Sequence, residues 1–167
     1  MNKIWPSFLL VLLLPLIAVA DAPRVDRIDI TEFGIYVADT TSKTNASQTP
    51  TGTVSNLANV RHAETTQTVS AQLGVRFGYR YNVVGSPNGA EATLRFKTLF
   101  PAPGIRNPTT GQQMNQAEYD RAKTIGSSSY RDYGFDHDWE MVPGVWTLQI
   151  WYQDHMLAEQ KFTVVKK

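Results

Sequence analysis

The sequence contains no cysteine and only three histidines, which limits the chemistry that the protein can perform. Without cysteine there is no disulfide, no thiolate metal ligand and no thiol nucleophile. Zinc is usually held by several His or Cys side chains, so few zinc ligands remain. The chain also lacks the G-x-S-x-G, H-E-x-x-H and phosphate-loop motifs. We therefore expect a protein that is not an enzyme, uses no cofactor and is stabilised by its core alone.

The sequence also lacks an excess of charge of either sign. Its 16 Lys and Arg residues stand against 15 Asp and Glu residues. Loss of Lys3 with an N-terminal leader would make the two counts equal. General nucleic-acid binders carry a basic excess, so the composition argues against nucleic acid as a partner.

The N-terminus has the three-part pattern of a secretory signal peptide. Lys3 is its only charged residue, residues 8–14 are all apolar, and residues 18–20 offer small side chains to a signal peptidase. The apolar run is too short to span about 30 Å of hydrocarbon comfortably. We therefore expect a signal peptide at 1–20 and one mature domain at 21–167. The mature chain would have no transmembrane segment and would be periplasmic or secreted.

Most of the remaining chain alternates apolar and polar residues instead of following a helical period. The alternating runs 75–83 and 90–96 flank a Gly-Ser-Pro-Asn-Gly turn, which predicts an antiparallel hairpin with one buried face. Runs 146–152 and 157–165 predict a second hairpin after a Pro-Gly turn. The fold class that follows is all-β, a single antiparallel β-sandwich of immunoglobulin-like type with at most one short helix.

Three further segments carry local predictions. The apolar parity changes between Ile30 and Phe33, which predicts a β-bulge or kink at 31–34. Residues 39–56 are polar and are predicted to form a long exposed loop. A capping-box pattern that starts at Asn115 predicts a short helix at 116–122.

Long stretches of the sequence resemble one known family. They are "EFGIY" (32–36), "LGVRFGYRYNVVGSPNG" (73–89), "LRFKTLFPAPGIRNPTTG" (94–111), "TIGSSSYRDYGF" (124–135) and "DWEMVPGVWTLQIWYQDHMLAEQKFTVV" (138–165). Together they resemble an exported bacterial domain-of-unknown-function family, number 3859. The resemblance implies an exported all-β domain. It brings no established activity, cofactor or site residue.

The segment 136–140 is the first candidate site, since it places Asp136, His137, Asp138 and Glu140 around one Trp. On a strand, residues 136 and 138 would share a face while 137 points away, so the three side chains would not converge on one ion. Asp136 and Asp138 are thus only weak metal candidates, and we expect no metal. An acid–base role would require a cleft and shifted pKa values.

The second candidate is a basic row. If the first hairpin is centred on 85–89, Arg80 would face Arg95, and the outer face would carry Arg76, Arg80, Arg95 and Lys97. Like charges directly opposite cost roughly 0.2–1 kcal/mol. One interpretation is a ladder in which Asp138 and Glu140 neutralise the row. The alternative is an anionic partner held by the arginine side chains, with Trp151 as an exposed stacking surface.

These features favour a non-enzymatic extracytoplasmic binding or interaction module. Its partner would be an unidentified envelope protein or an anionic glycan or phosphate. One alternative is a metal-dependent or acidic hydrolase that uses Asp136–Glu140. Another is a purely structural component of the envelope.

Overall fold

A computed structural model describes residues 22–166, so the predicted signal peptide at 1–20 lies outside the described residues. The strands are β1 (Arg24–Asn45), β2 (Thr53–Glu64), β3 (Thr68–Ser70), β4 (Arg76–Ser86), β5 (Glu91–Leu99), β6 (Ile105–Arg106), β7 (Gln113–Met114), β8 (Gln116–Thr124), β9 (Ser128–Gly134), β10 (Gly144–Tyr152) and β11 (His155–Val165). The only helical element in this range is a single 3₁₀ turn at Asp138–Glu140. No helix within it is long and apolar enough to cross a membrane.

The strands form two main sheets. Sheet I has the order β2-β1-β4-β9, and sheet II has the order β3-β11-β10-β5-β8. All pairings within them are antiparallel except β3 with β11. Strands β6 and β7 form a separate two-stranded ribbon. This arrangement confirms the predicted all-β sandwich with at most one short helical element.

The inner faces of the two sheets meet in one aromatic core. Phe77 of sheet I lies 5.7 Å from Trp146 and 5.2 Å from Phe162 of sheet II, measured between ring centroids. All three side chains are fully buried. The sequence predicted that alternate residues of β4 and β5 face the core. This is confirmed, because the apolar positions are buried while the residues between them lie outside the core. Alternation therefore identified the core faces correctly.

The predicted hairpin of β4 and β5 is wrong. Strand β4 pairs with β1 and β9 in sheet I, whereas β5 pairs with β10 and β8 in sheet II. The turn at 86–90 carries the chain from one sheet to the other. Arg80 therefore lies opposite Glu32 and Tyr130, not opposite Arg95. Each strand buries its apolar face, and this happens both in a hairpin within one sheet and in two sheets packed face to face. The alternation alone therefore did not distinguish the two arrangements.

The predicted helix at 116–122 is also wrong, because these residues belong to β8 and pair with β5. A capping-box pattern is short, and tertiary pairing overrides it here.

The predicted loop at 39–56 is likewise wrong. Strand β1 continues to Asn45 and pairs with β2 up to Thr53, so only a short tip remains irregular. Threonine-rich segments suit strands, and the paired backbone needs no apolar side chains.

Two local predictions are confirmed. The pairing of β1 with β4 shifts between Ile30 and Glu32, so a bulge lies where the parity changes. Strands β10 and β11 form the predicted last hairpin, with Trp146 in the core. Strand β10 begins only at Gly144, so Trp139 belongs to the preceding 3₁₀ turn and not to a strand.

Candidate functional site

A cavity of about 290 Å³ opens between the two sheets at the side where β8 and β9 are the edge strands. Its walls are the inner face of β8 with neighbouring β5, the edge strand β9, and the tip and second strand of the β1–β2 hairpin. The backbone N–H of Glu118 donates to the carbonyl of Gln48, and the Asn107 amide donates to the carbonyl of Pro50 at 2.8 Å. These two bonds hold the hairpin tip across the opening.

Strand β8 contributes two cations to this cavity. Ala117, Tyr119, Arg121 and Lys123 pair with Thr98, Phe96, Leu94 and Ala92, which are buried on the inner face of β5. The register thus directs Arg121 and Lys123 towards the inside of the sandwich, and both line the cavity. An inner face that carries two cations is unusual, since charged side chains are rarely buried unless they are paired.

Strand β9 contributes a third cation from the opposite sheet. Arg131 is only 2% exposed and lines the same cavity. Its Nη2 donates to the carbonyl of Lys97 at 2.6 Å and to Oγ1 of Thr98 at 2.9 Å. Its Nε and Nη1 are buried without a hydrogen-bond partner among residues 22–166. Arg121, Lys123 and Arg131 are called the cationic cluster below.

Two members of the cluster lie beside the ring of Phe96, and the third, Arg121, lies 5.6 Å from the ring centroid of Tyr119. Lys123 Nζ lies 5.9 Å from the ring centroid and Arg131 Cζ lies 5.2 Å from it. Lys123 also donates to the neutral Oγ of Ser129 at 2.8 Å. Burial, reinforced by the charge of Arg121, lowers the pKa of Lys123. A lowered pKa means that the charged form of Lys123 is not fully compensated by its present neighbours.

The other charged groups that line the cavity are bonded to one another. Arg76 donates to Asp132 and, at 3.5 Å, to Asp136. Glu140 is 2% exposed and accepts from the hydroxyl of Tyr133 and from two backbone N–H groups. Burial raises the pKa of Glu140 and of Asp132, although their donors oppose the shift. None of these carboxylates lies within 4 Å of a cluster nitrogen.

The four residues of the predicted basic row do not form one row. Each has a carboxylate neighbour: Arg76 has Asp132 and Asp136, Arg80 has Glu32 at 3.3 Å, Arg95 has Asp120 at 3.5 Å, and Lys97 has Glu118 at 3.9 Å. Carboxylates thus neutralise these four cations, as the ladder interpretation expected. The predicted partners, Asp138 and Glu140, are wrong, because they lie in the 3₁₀ turn and contact none of the four.

Trp151 lies on the outer face of sheet II and is half-buried. Its indole N–H donates to Oε1 of Gln149 at 2.9 Å, and Lys97 Nζ lies 5.8 Å from its ring. The two side chains therefore stabilise each other on the surface. A role in ligand binding for Arg76, Arg80, Arg95, Lys97 and Trp151 stays a prediction, and of these five only Arg76 lines the cavity.

The segment 136–140 is explained by local structure. Asp136 forms an ion pair with Lys43 at 3.2 Å, and Oδ1 of Asp138 accepts from the backbone N–H of Trp139. The ring of His137 stacks on that of Trp139 at 5.2 Å. Within residues 22–166, no three His, Asp or Glu side chains come together in a way that could hold a metal ion. The segment thus has a structural role in joining β9 to β10.

Sequence reasoning missed all three residues of the cationic cluster. The signal was present in "AEYDRAKT" (117–124), where every second residue would share one face of a strand. The helix predicted at this position concealed that alternation. Arg131 offered no comparable signal, because its burial depends on β4 and β5, which are distant in sequence.

Comparisons with known proteins agree with this architecture. A model of the protein family described as Domain of unknown function (DUF3859) matches residues 24–164. Among solved structures, an immunoglobulin-like protein from Pseudomonas aeruginosa is similar, with 25% sequence identity and a TM-score of 0.59. The match covers 89% of this chain and 100% of that one. A search of curated proteins finds no match.

Proposed function

The chain belongs to the family described as Domain of unknown function (DUF3859), and because that description assigns no activity, we propose a function from the cavity. The protein is a non-enzymatic binding module that holds a small ligand between β8 and β9. An immunoglobulin-like sandwich is a scaffold that presents sites at edges and loops, and its chemistry depends on the site and not on the fold.

The observation that carries this proposal is the concentration of unsatisfied polar atoms around one cavity. Five buried side-chain atoms in residues 22–166 lack a hydrogen-bond partner. Three of them belong to Arg121 and Arg131, which line the cavity from opposite sheets, and a fourth, Tyr130 Oη, lies on the outer face of β9 beside Tyr36. The fifth, Tyr81 Oη, belongs to the residue paired with cavity-lining Ser129. Folded proteins leave few such atoms, and their clustering marks a place where a ligand supplies the missing partners.

The cavity favours binding over catalysis. A volume of about 290 Å³ suits a small molecule. Its carboxylates are already engaged: Asp132 and Asp136 with Arg76, and Glu140 with Tyr133. Glu140 and Asp132 line the cavity with raised pKa values, but each is held by donors in a structural contact, which favours a structural role over that of a general base.

The expected site of action is outside the cytoplasm. This part of the proposal rests on the signal-peptide pattern at 1–20. Expression of the full chain with its leader, followed by fractionation and N-terminal sequencing, tests it. We expect a periplasmic or secreted product that begins at Asp21. A cytoplasmic product that retains Met1 would contradict this location.

The binding proposal is tested by filling the cavity. Ala117 lies on the inner face of β8 and is 5% exposed, whereas Ala122 lies on the outer face of the same strand. A thermal-shift panel of sugars, amino acids, organic acids and phosphates should include compounds that raise the melting temperature. Ala117→Phe should abolish the shift and Ala122→Phe should preserve it. If no compound gives a shift that depends on Ala117, the protein does not bind ligands in this cavity.

A further inference from the structure

The ligand chemistry follows from the charges of the cationic cluster, and it rests on the proposed function. We propose that the ligand carries an oxyanion, a carboxylate or a phosphate, and that Arg121, Lys123 and Arg131 bind this group. The cluster is distinct from the surface cations Arg80 and Arg95.

Arg131 is the strongest part of the argument. A buried guanidinium without a counter-ion costs several kcal/mol, so native proteins pair it or leave it accessible. Arg131 has neither solution, since it is 2% exposed and no carboxylate oxygen of residues 22–166 lies within 4 Å of its nitrogens. Its two bonds go to the neutral oxygens of Lys97 and Thr98. Nε and Nη1 form no hydrogen bond of normal geometry, although the hydroxyls of Tyr79 and Tyr119 lie beside the guanidinium, so both donors are available to a ligand.

The neighbouring phenols do not act as counter-ions. Tyr79 and Tyr119 lie beside Arg131, and a phenolate would neutralise it. Burial, however, raises the pKa of both tyrosines above the ordinary value, and the opposing effect of Arg131 is smaller. Both phenols are therefore neutral at physiological pH. The charge of Asp132 acts on Arg131 only from beyond 4 Å, so the guanidinium has no counter-ion in direct contact.

Arg121 and Lys123, on the other side of the cavity, also lack a counter-ion. Nη2 of Arg121 is buried without a partner, and within the described residues neither side chain has a carboxylate within 4 Å. The two cations are neighbours on one strand face and face Arg131 across the gap. Three cations from two sheets thus converge without an anion. An oxyanion supplies several acceptor oxygens at once and matches the planar donors of arginine.

Among residues 22–166, the other buried or half-buried cations are paired, which makes the cluster an exception. Arg76 lines the same cavity and is bonded to two aspartates. Lys97, on the outer face of β5, is close to Glu118. The sequence therefore provides carboxylates where a cation has a structural role. Their absence at the cluster is a local feature, and it is the one expected of an anion site.

The test uses isothermal titration and thermal shift with inorganic phosphate, sulfate, citrate and a neutral sugar as probes. At constant ionic strength we expect an oxyanion to bind, and Arg121→Gln and Lys123→Gln each to weaken it roughly tenfold or more, as for loss of a charged hydrogen bond. Arg106→Gln is the matched control, because Arg106 is exposed and lies outside the cavity. It removes the same charge and should leave binding unchanged. Phosphate and citrate then separate the two oxyanion classes.

The ligand-free protein provides a second measurement. Arg121 forms no hydrogen bond through Nη2, so Arg121→Gln should leave the melting temperature of the ligand-free protein unchanged or raise it. A merely structural cation would lower it. Arg131→Gln is less informative, since that side chain also joins the two sheets.

The outcomes separate the two proposals. If a neutral sugar binds, depends on Ala117 and is indifferent to Arg121→Gln, the oxyanion inference is wrong and the binding function stands. If Arg106→Gln weakens oxyanion binding as much as Arg121→Gln does, the attraction is non-specific and the inference is wrong. If no probe binds in a manner that depends on Ala117, both proposals fail.

Discussion

The hydroxyl of Tyr133 donates a 2.7 Å hydrogen bond to Oε1 of Glu140. The other oxygen, Oε2, accepts from the backbone N–H groups of Asp136 and His137. The carboxylate thus fixes the segment between β9 and β10. We expect Glu140→Gln to lower the free energy of unfolding by roughly 1–3 kcal/mol, because its amide cannot accept all three bonds. Urea unfolding measures this loss.

The control for this substitution is Glu91→Gln. Glu91 is exposed, and its side chain forms no ion pair within the described chain. Its replacement should change the stability by less than about 0.5 kcal/mol. Equal effects of the two substitutions would mean that the bonds of Glu140 do not stabilise the fold. Ligand binding should be unchanged in Glu91→Gln, because Glu91 lies outside the cavity.

The stability should also depend on pH through Glu140. Burial raises the pKa of Glu140 in the folded state, although Tyr133 and the backbone N–H of His137 oppose the shift. The folded protein therefore holds this proton more tightly than the unfolded chain does. The contribution of Glu140 to stability is largest below the ordinary pKa of Glu and falls as pH rises through the raised pKa. Unfolding measured over this pH range should show a smaller decrease in Glu140→Gln, in which Asp132 still contributes a shift of the same sign.

Gly34 lies directly against the backbone of β2. A Cβ placed on Gly34 would lie 1.9 Å from the carbonyl oxygen of Glu64, and its φ of 141° is one that other residues rarely adopt. We expect Gly34→Ala to destabilise the protein by roughly 2–4 kcal/mol through steric clash and backbone strain. Gly52→Ala is the control, since Gly52 also has a positive φ but has no atom within 4 Å of such a Cβ. A similar loss in both variants would show that the clash is relieved by movement of β2.

Much of the fold could be predicted because alternation reports which face of a strand is buried. It identified Phe77 and Phe96 as inward residues, and the parity change near Gly34 located the bulge. Alternation does not report which strand is the neighbour. Strands β4 and β5 therefore looked like a hairpin, although one belongs to each sheet.

The candidate site could not be predicted for the same reason. Its residues come from β8, β9 and the β1–β2 hairpin, which meet only when both sheets are assembled. Arg131 is buried as a cation because oxygens of Lys97 and Thr98 in the opposite sheet accept hydrogen bonds from it. Nothing near Arg131 in the sequence encodes those contacts.

The hairpin tip should control access to the cavity. Asn107 donates to the carbonyl of Pro50 at 2.8 Å and is the side chain that anchors the tip to the β6–β7 ribbon. In Asn107→Ala we expect faster amide hydrogen exchange at Ala46 and Gly52 and faster ligand dissociation, because the tip then opens more often. Thr109→Ala is the control, since Thr109 is exposed and only its backbone N–H, which the substitution keeps, bonds to Asn107. Unchanged exchange at Gly52 would contradict a gating role.

Oxyanion affinity should fall at high pH because of Lys123. Burial and the charge of Arg121 lower the pKa of Lys123, and a bound anion raises it again by favouring the charged form. Above the lowered pKa, binding therefore requires uptake of a proton, and affinity decreases as pH rises. The other two cations of the cluster are arginines, a residue type that is always charged in proteins, so Lys123 is the member to test. Sulfate is the suitable probe because its own charge is constant there. Titrations should show the decrease in the wild type and none in Lys123→Arg. A decrease that persists in Lys123→Arg would assign the titration to another group and would remove Lys123 from the anion site.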